Sequence, residues 1–242
     1  LQRYATDFAM ITDKQIFQKG EPNGKSVGIV GSGPAGLSCA MYLARLGYAV
    51  TVYDKKALPG GLDTYGMAEY KMTQAVSVKE AERVARLGVE FQLNVEVGRD
   101  VSFEELQANH DAIFVGVGLG ATNNLNIPGE DMSGVMDALH FIEYIKTRDW
   151  ESVPLGRTVA VIGAGNTAID AVTQAKRLGA ERVMMVYRKT EKDISAYDYE
   201  YELAKKDGVE FLWQAAPVAI LAGENGSALT LRCEKTDGTN QL

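Results

Sequence analysis

Apolar positions fall into short blocks separated by glycines, and one block order occurs twice. Val27 to Val30 is an apolar run; Gly31, Ser32, Gly33, Pro34, Ala35 and Gly36 follow; a helical pattern continues to Leu46 and stops at Gly47; a second apolar run, Ala49 to Tyr53, ends on Asp54. Further on, Thr158 to Ile162 leads into Gly163, Ala164, Gly165, Asn166, Thr167 and Ala168, a helix to Leu178 stopped at Gly179, and the run Arg182 to Tyr187. Strand, glycine turn, helix and strand thus repeat within one chain. Around them the periodicity predicts a half-exposed strand over 89–97, a charged helix over 77–87 ended by Gly88, and a helix over 102–109 with a Ser102–Glu105 capping box. A buried strand over 111–118, a turn over 126–130 and a helix over 137–148 follow. The last stretch reads as a helix over 196–206 capped by Ser195, then strands over 209–213 and 229–233.

This order predicts an α/β fold with two tandem Rossmann-like dinucleotide-binding units. In the first turn, Gly31 permits the tight bend, Gly33 lets the backbone approach a pyrophosphate and Gly36 lets the helix lie close on the strand. A helix N-terminus offers free N–H groups and partial positive charge to phosphate. Asp54, 23 residues after Gly31, stands where a carboxylate accepts from a ribose, with Lys55 beside it. The second turn is GxGxxA, and its strand tip carries Arg188 and Lys189 instead of an acid, which suits the 2′-phosphate of NADP(H). The alternative is a solvated charge pair with Asp193 or Glu191 near enough to neutralise it. Pro59, Gly60, Gly61 and Leu62 form either a simple turn or a close approach to a ligand, and Gly116, Gly118 and Gly120 keep side chains away from a nucleotide at that strand end.

The expected divisions are an arm over 1–25, a first dinucleotide-binding domain over 26–125, a connecting segment over 126–156 and the NADP(H) domain over 157–242. The arm places Tyr4, Phe8, Ile11, Ile16 and Phe17 roughly on one face, either docked on the first domain or offered to a partner. Leu1 is not Met, and the polar stretch 233–242 closes the chain, so both ends read as cut from something longer.

Composition is that of an ordinary globular protein, 46% hydrophobic and 24% charged over 242 residues. A net charge of −7 argues against nucleic-acid or anionic-membrane binding. No apolar run approaches the roughly 20 residues of a membrane span, which makes the cytoplasm the default setting. Cys39 and Cys233 are the two cysteines, and no CxxC occurs. A disulfide framework, a metal or iron–sulfur site within this chain and a redox-disulfide mechanism are therefore not expected.

With both motifs placed, the chain resembles the flavin- and NADP-binding part of the glutamate synthase small-subunit family, which includes the electron-input region of dihydropyrimidine dehydrogenase. The resemblance rests on residues 27–40, 59–62, 116–121, 127–131, 159–171 and 186–189. It implies FAD on the first motif, with Gly33, Ala35 and Gly36 facing its pyrophosphate, Asp54 its ribose, and Gly61 and Leu62 the flavin side. It implies NADPH on the second, with Gly165, Asn166 and Thr167 at the pyrophosphate and Arg188 and Lys189 at the 2′-phosphate. The implied activity is hydride transfer from NADPH to FAD, with electrons passed to iron–sulfur clusters on a missing domain or a large catalytic partner subunit. No catalytic side chain is required, and His110 and His140 read as surface or helix residues. The chain departs from the family at Lys71, Met72 and Thr73, where Arg-Leu-Pro is usual, and it lacks the Gly-Asp pair of a later segment that completes the flavin domain, so the first unit is expected to be incomplete. Rival readings are a non-catalytic NADP(H)-binding module and a flavin-dependent reductase of a ferredoxin-like carrier.

Overall fold

The computed structural model describes residues 1–237; the end of the polar closing stretch, 238–242, lies outside the described residues. The chain forms two compact units, one of residues 1–65 and 69–120, the other of residues 66–68 and the chain from Ala121 onward.

In the first unit, α1 (Gln2–Ile11) precedes β1 (Ser26–Val30), α2 (Pro34–Arg45), β2 (Ala49–Asp54), α3 (Leu62–Tyr65), α4 (Gln74–Ala85), β3 (Glu90–Leu93), α5 (Phe103–Asn109) and β4 (Ala112–Val115). The four strands are parallel in the order β3-β2-β1-β4. Their core gathers Val27, Ile29, Val50 and Val52 from the sheet with Ala40 and Ala44 from α2 and Val84 and Leu87 from the α4 region. Strand order reverses between β1 and β4, and ligands in such sheets sit outside the strand ends at that reversal.

The second unit runs α6 (Ala138–Thr147), β5 (Thr158–Ile162), α7 (Asn166–Arg177), β6 (Arg182–Tyr187), α8 (Asp198–Lys206), β7 (Glu210–Trp213), β8 (Ala215–Ala222) and β9 (Ala228–Lys235). Here β5-β6-β7 is parallel and β8-β9 is an antiparallel hairpin. Every residue from Ala168 to Ala175 is buried, so α7 is the central helix of this unit. The turn over 127–134 is stitched to the hairpin by Ile220 N–H to Pro128 O and Ala228 N–H to Ser133 O, both 2.8 Å.

Several elements differ from the expectation. The strand expected over 89–97 stops at Leu93, because Asn94 takes φ 58° and donates to Lys56 O. The strand expected to be buried over 111–118 is a short edge strand with Val115 exposed, since β4 has a neighbour on one side among the described residues. Thr73 caps α4, which therefore starts before Ser77; Ser77 is buried with its hydroxyl 2.7 Å from that of Thr64. The last helix begins at Asp198, and Ser195 does not cap it: its hydroxyl faces Ala164 O, while Tyr197 holds the cap position. The arm is tied to α4 through Arg83, which donates to Ala9 O and Lys14 O, and through an Arg86–Asp13 ion pair. Ala9 is its buried apolar residue, whereas Tyr4, Phe8 and Ile11 are exposed and Ile16 and Phe17 lie beyond the helix. Strand β8 was not anticipated.

Candidate functional site: two glycine turns

The first turn sits where β1 ends. Gly31 has φ 101° and donates to Tyr53 O at 2.8 Å, and a Cβ on it would meet Gly116 O at 2.4 Å, so the tips of β1 and β4 close on each other at the strand-order reversal. A Cβ on Gly36 would lie 1.9 Å from Gly31 O, which is why a glycine is required where α2 meets β1. Gly33 is the N-cap and Pro34 opens the helix; the first intrahelical bond is Leu37 N–H to Gly33 O at 2.9 Å, leaving the Ala35 and Gly36 amides ahead of the helical ladder.

The Pro-Gly-Gly segment packs on this turn. Gly60 donates to Ser32 O at 2.9 Å, and a Cβ on Gly61 would meet Gly33 Cα at 2.7 Å. Leu62 follows, half exposed at the start of α3. Gly61 and Leu62 are thus brought to the turn. Gly118, with φ 72°, has nothing of the chain within 4 Å of its would-be Cβ. The Lys55 Nζ stands 3.9 Å from Glu96 Oε1.

Asp54 has a role that the motif does not reveal. One carboxylate oxygen accepts from Ser32 N–H at 2.7 Å and Ser32 Oγ at 2.6 Å, and the other accepts from Lys56 N–H at 2.9 Å. The strand-tip acid therefore clamps the glycine turn, and its remaining lone pairs are what a ribose could use.

The second turn repeats the geometry. Gly163 has φ 123° and donates to Val186 O at 3.0 Å; Gly165 is the N-cap; Asn166, Thr167 and Ala168 precede the first helical bond, Ile169 N–H to Gly165 O at 3.1 Å. Here the third position takes alanine, and a Cβ placed on Gly163 would stand an ordinary 3.8 Å from the Ala168 Cβ. The repeat extends further than the motif: Gln214 after β7 has φ 55° and donates to Lys189 O, as Asn94 does to Lys56 O after β3. Register then equates Tyr187 with Asp54 and Arg188 with Lys55, so the arginine lies one residue past the position of the acid.

The two carboxylates near the Arg188–Lys189 tip are hydrogen-bonded to other groups, and neither forms an ion pair with Arg188. Asp193 is engaged by the Thr190 hydroxyl at 2.6 Å and amide at 3.1 Å, which hold its carboxyl below the usual range, with a smaller contribution from the charge of Lys189. Glu191 accepts from Tyr201 OH at 2.5 Å and Lys205 Nζ at 3.4 Å, which lower it likewise. Among the described residues no carboxylate pairs with the exposed Arg188 guanidinium, while its backbone is fixed by the Thr236 hydroxyl. Lys189 is half-buried beside it.

Helices α4, α5 and α6 close their N-termini with the side chains of Thr73, Ser102 and Asp137, whereas α2 and α7 have glycine caps and no side-chain bond. The N-termini of α2 and α7 are thus open to an anion at a glycine turn; α1 and α8 also lack a side-chain cap but follow no such turn. Burial raises both cysteine thiols, which makes them poor nucleophiles. His110 packs on Gly28, with Nε2 3.0 Å from Tyr53 OH. Among the described residues no three His, Cys, Asp or Glu side chains cluster as a metal site, and no helix is long and apolar enough to cross a membrane.

Residues 25–241 match the pyridine nucleotide-disulphide oxidoreductase family. The chain belongs to that family. It is 35% identical over 236 residues to the putative glutamate synthase [NADPH] small chain of Cereibacter sphaeroides, covering 93% of this chain and 56% of that protein. Against the glutamate synthase [NADPH] small chain of Escherichia coli K12 it is 35% identical, covering 98% and 52%. The chain thus spans about half the length of these relatives. Among solved structures, FprA of Mycobacterium tuberculosis in complex with NADPH aligns with a TM-score of 0.71 at 21% identity, over 91% of this chain and 66% of that one. Thioredoxin reductase of Lactococcus lactis aligns with a TM-score of 0.69 at 23% identity, over 90% and 73%. Both share the two-domain Rossmann-like fold.

Proposed function

We propose that this chain is the dinucleotide-binding part of an NADPH-dependent flavin oxidoreductase, with FAD on the first turn and NADP(H) on the second, serving as the electron-input portion of a larger protein or complex. When bound, the two cofactors supply the hydride and electron chemistry. The chain's own groups bind and orient. The Ala35 and Gly36 amides and the α2 dipole receive one pyrophosphate, with Gly33 and Gly61 clearing the approach. Asp54 keeps that turn in shape while offering acceptor capacity to a ribose. The Asn166, Thr167 and Ala168 amides receive the second pyrophosphate, and Arg188 with Lys189 receives the 2′-phosphate. The onward acceptor is an iron–sulfur domain or a large partner subunit, in keeping with relatives named as small chains.

The observation that carries this reading is the exposed Arg188, with no carboxylate paired to it among the described residues, beyond an uncapped glycine-turn helix. Arg188→Ala should weaken NADPH binding about 10–100-fold, the worth of a charge-assisted hydrogen bond, and change NADH binding less than threefold. Titration calorimetry with both nucleotides checks this, and equal losses for the two would refute the 2′-phosphate assignment. Visible absorption after adding FAD, then anaerobic NADPH, tests the first site: flavin that is taken up and bleached supports the oxidoreductase, and a colourless protein that binds only NADPH favours a binding module.

A further inference from the structure

Tyr197 and Tyr199 are 59% and 70% exposed, in contrast with Tyr201 at 7%. Their rings stack at 5.8 Å between centroids and 9° between planes. The Tyr197 ring, exposed and stacked on Tyr199, presents an aromatic face to water at the helix start, while the Tyr199 hydroxyl donates to Glu200 Oε1 at 3.0 Å. Their place is set by the second glycine turn. The Ser195 and Ala196 amides both donate to Ala164 O at 3.1 Å, the Tyr197 amide donates to Asn166 Oδ1 at 3.0 Å, and a Cβ on Gly165 would lie 3.6 Å from Ser195 Oγ. The connection from Arg188 to that point is pinned as well, by Tyr187 OH to Asp193 O at 3.2 Å and by the reciprocal Thr190–Asp193 cap. One rigid loop therefore starts at the basic strand tip and returns across the turn to deliver Tyr197.

We propose that the Tyr197 ring, braced by Tyr199, is a stacking surface for the adenosine end of the dinucleotide at the second turn. The inference rests on the assignment of NADP(H) to that turn. An aromatic ring serves there because a purine offers a π-face, and the pinned loop leaves the ring little freedom to lose on binding. It also accounts for the bond that Asn166 makes: with Oδ1 occupied by the Tyr197 amide, the Asn166 amide group keeps its donors for the ligand while fixing the ring's position.

The test is titration calorimetry of the whole chain with NADPH, with 2′,5′-ADP and with nicotinamide mononucleotide. Tyr197→Ala should weaken NADPH and 2′,5′-ADP alike by about tenfold, Tyr197→Phe should stay within about threefold of the parent, and nicotinamide mononucleotide should be unaffected. Parent-like affinity of Tyr197→Ala for 2′,5′-ADP, with Arg188→Ala still impaired, would overturn the stacking role and leave the NADP(H) assignment intact. A parent chain that binds neither NADPH nor 2′,5′-ADP would overturn both. Equal losses in Tyr197→Phe and Tyr197→Ala would assign the effect to the hydroxyl and also overturn stacking.

Discussion

A methyl group at Gly36 has nowhere to go. Its carbon would lie 1.9 Å from Gly31 O, 3.0 Å from the carbonyl carbon and 3.3 Å from Ile29 Cγ2, against an ordinary carbon contact of about 3.5 Å. Gly31 cannot yield, because its amide is bonded to Tyr53 O and its own Cα faces Gly116 O. Helix α2 must therefore retreat by roughly an ångström, loosening Ala40 and Ala44 from the sheet core. Overpacking of this kind costs about 1–3 kcal/mol, and a clash with backbone belongs at the upper end. For a unit of this size about 3 kcal/mol lowers the melting temperature by roughly 10–20 °C. The matched control is Ala168→Gly at the same motif position of the second turn, where the fold already holds a methyl group; it loses helix propensity and that methyl group, about 1–2 kcal/mol. Thermal melts can follow circular dichroism and tryptophan fluorescence together. Trp150 and Trp213 both lie in the second unit, so Gly36→Ala should lose ellipticity early while fluorescence follows later. Peptide-resolved hydrogen exchange over 26–45 should rise in parallel. A Gly36→Ala protein that melts within about 3 °C of the parent by both probes would refute the packing argument.

Asp54→Asn should destabilise the nucleotide-free protein by about 1.5–3 kcal/mol, since an amide group would face donors that now meet a carboxylate on both oxygens; an unchanged urea midpoint without any ligand would restrict Asp54 to ribose binding. Asp137 caps α6 and binds Thr122. Burial raises its pKa, but the Thr122 hydroxyl and amide and the His140 and Leu139 amides outweigh this and hold it below 3.8. A folded pKa below the unfolded one gives stability that is complete above the unfolded value and lost as pH falls through the folded one. The stability gap between the parent and Asp137→Asn, followed by urea unfolding from pH 7 to pH 3, should therefore hold steady above about pH 5 and shrink below it; a gap independent of pH would show that charge plays no part in the cap.

What could be read from the sequence was what local chemistry decides. Both glycine turns, the Ser102 capping box and the stop of each helix at Gly47, Gly88 and Gly179 lie where the residue pattern places them, because each depends on a few neighbouring residues. Elements settled by distant partners were not legible. Strand β8, Ala215–Ala222, shows no alternation and carries Pro217 at an irregularity of register, and its existence depends on pairing with β9 and the turn at Pro128. The early ends of β3 and the late start of α8 follow from single hydrogen bonds, to Lys56 O and to Asn166 Oδ1, made by residues 38 and 31 positions apart. The clamp between Asp54 and Ser32 had a visible signal, a serine inside the glycine turn facing an acidic strand tip, but the ribose explanation already accounted for the acid.

That clamp explains why the two turns, so alike in backbone, differ in charge at their strand tips. The first turn has Ser32 at its second position and uses Asp54 to hold it, so its strand-tip side chain is bound to the protein. The second has Ala164 there, which offers no hydroxyl; it is braced instead by the Ser195, Ala196 and Tyr197 amides acting on Ala164 O and Asn166 Oδ1. With the brace moved to a following loop, the residues at the tip of β6 are released from structural work. Tyr187 secures that loop through Asp193 O, and Arg188, one residue further, keeps a free guanidinium at the surface. Exchanging the second-position residues alone, Ser32→Ala or Ala164→Ser, thus leaves each strand tip with the wrong partner set, and a turn that tolerates a cationic tip needs the loop of residues 189–197 as well as the glycines.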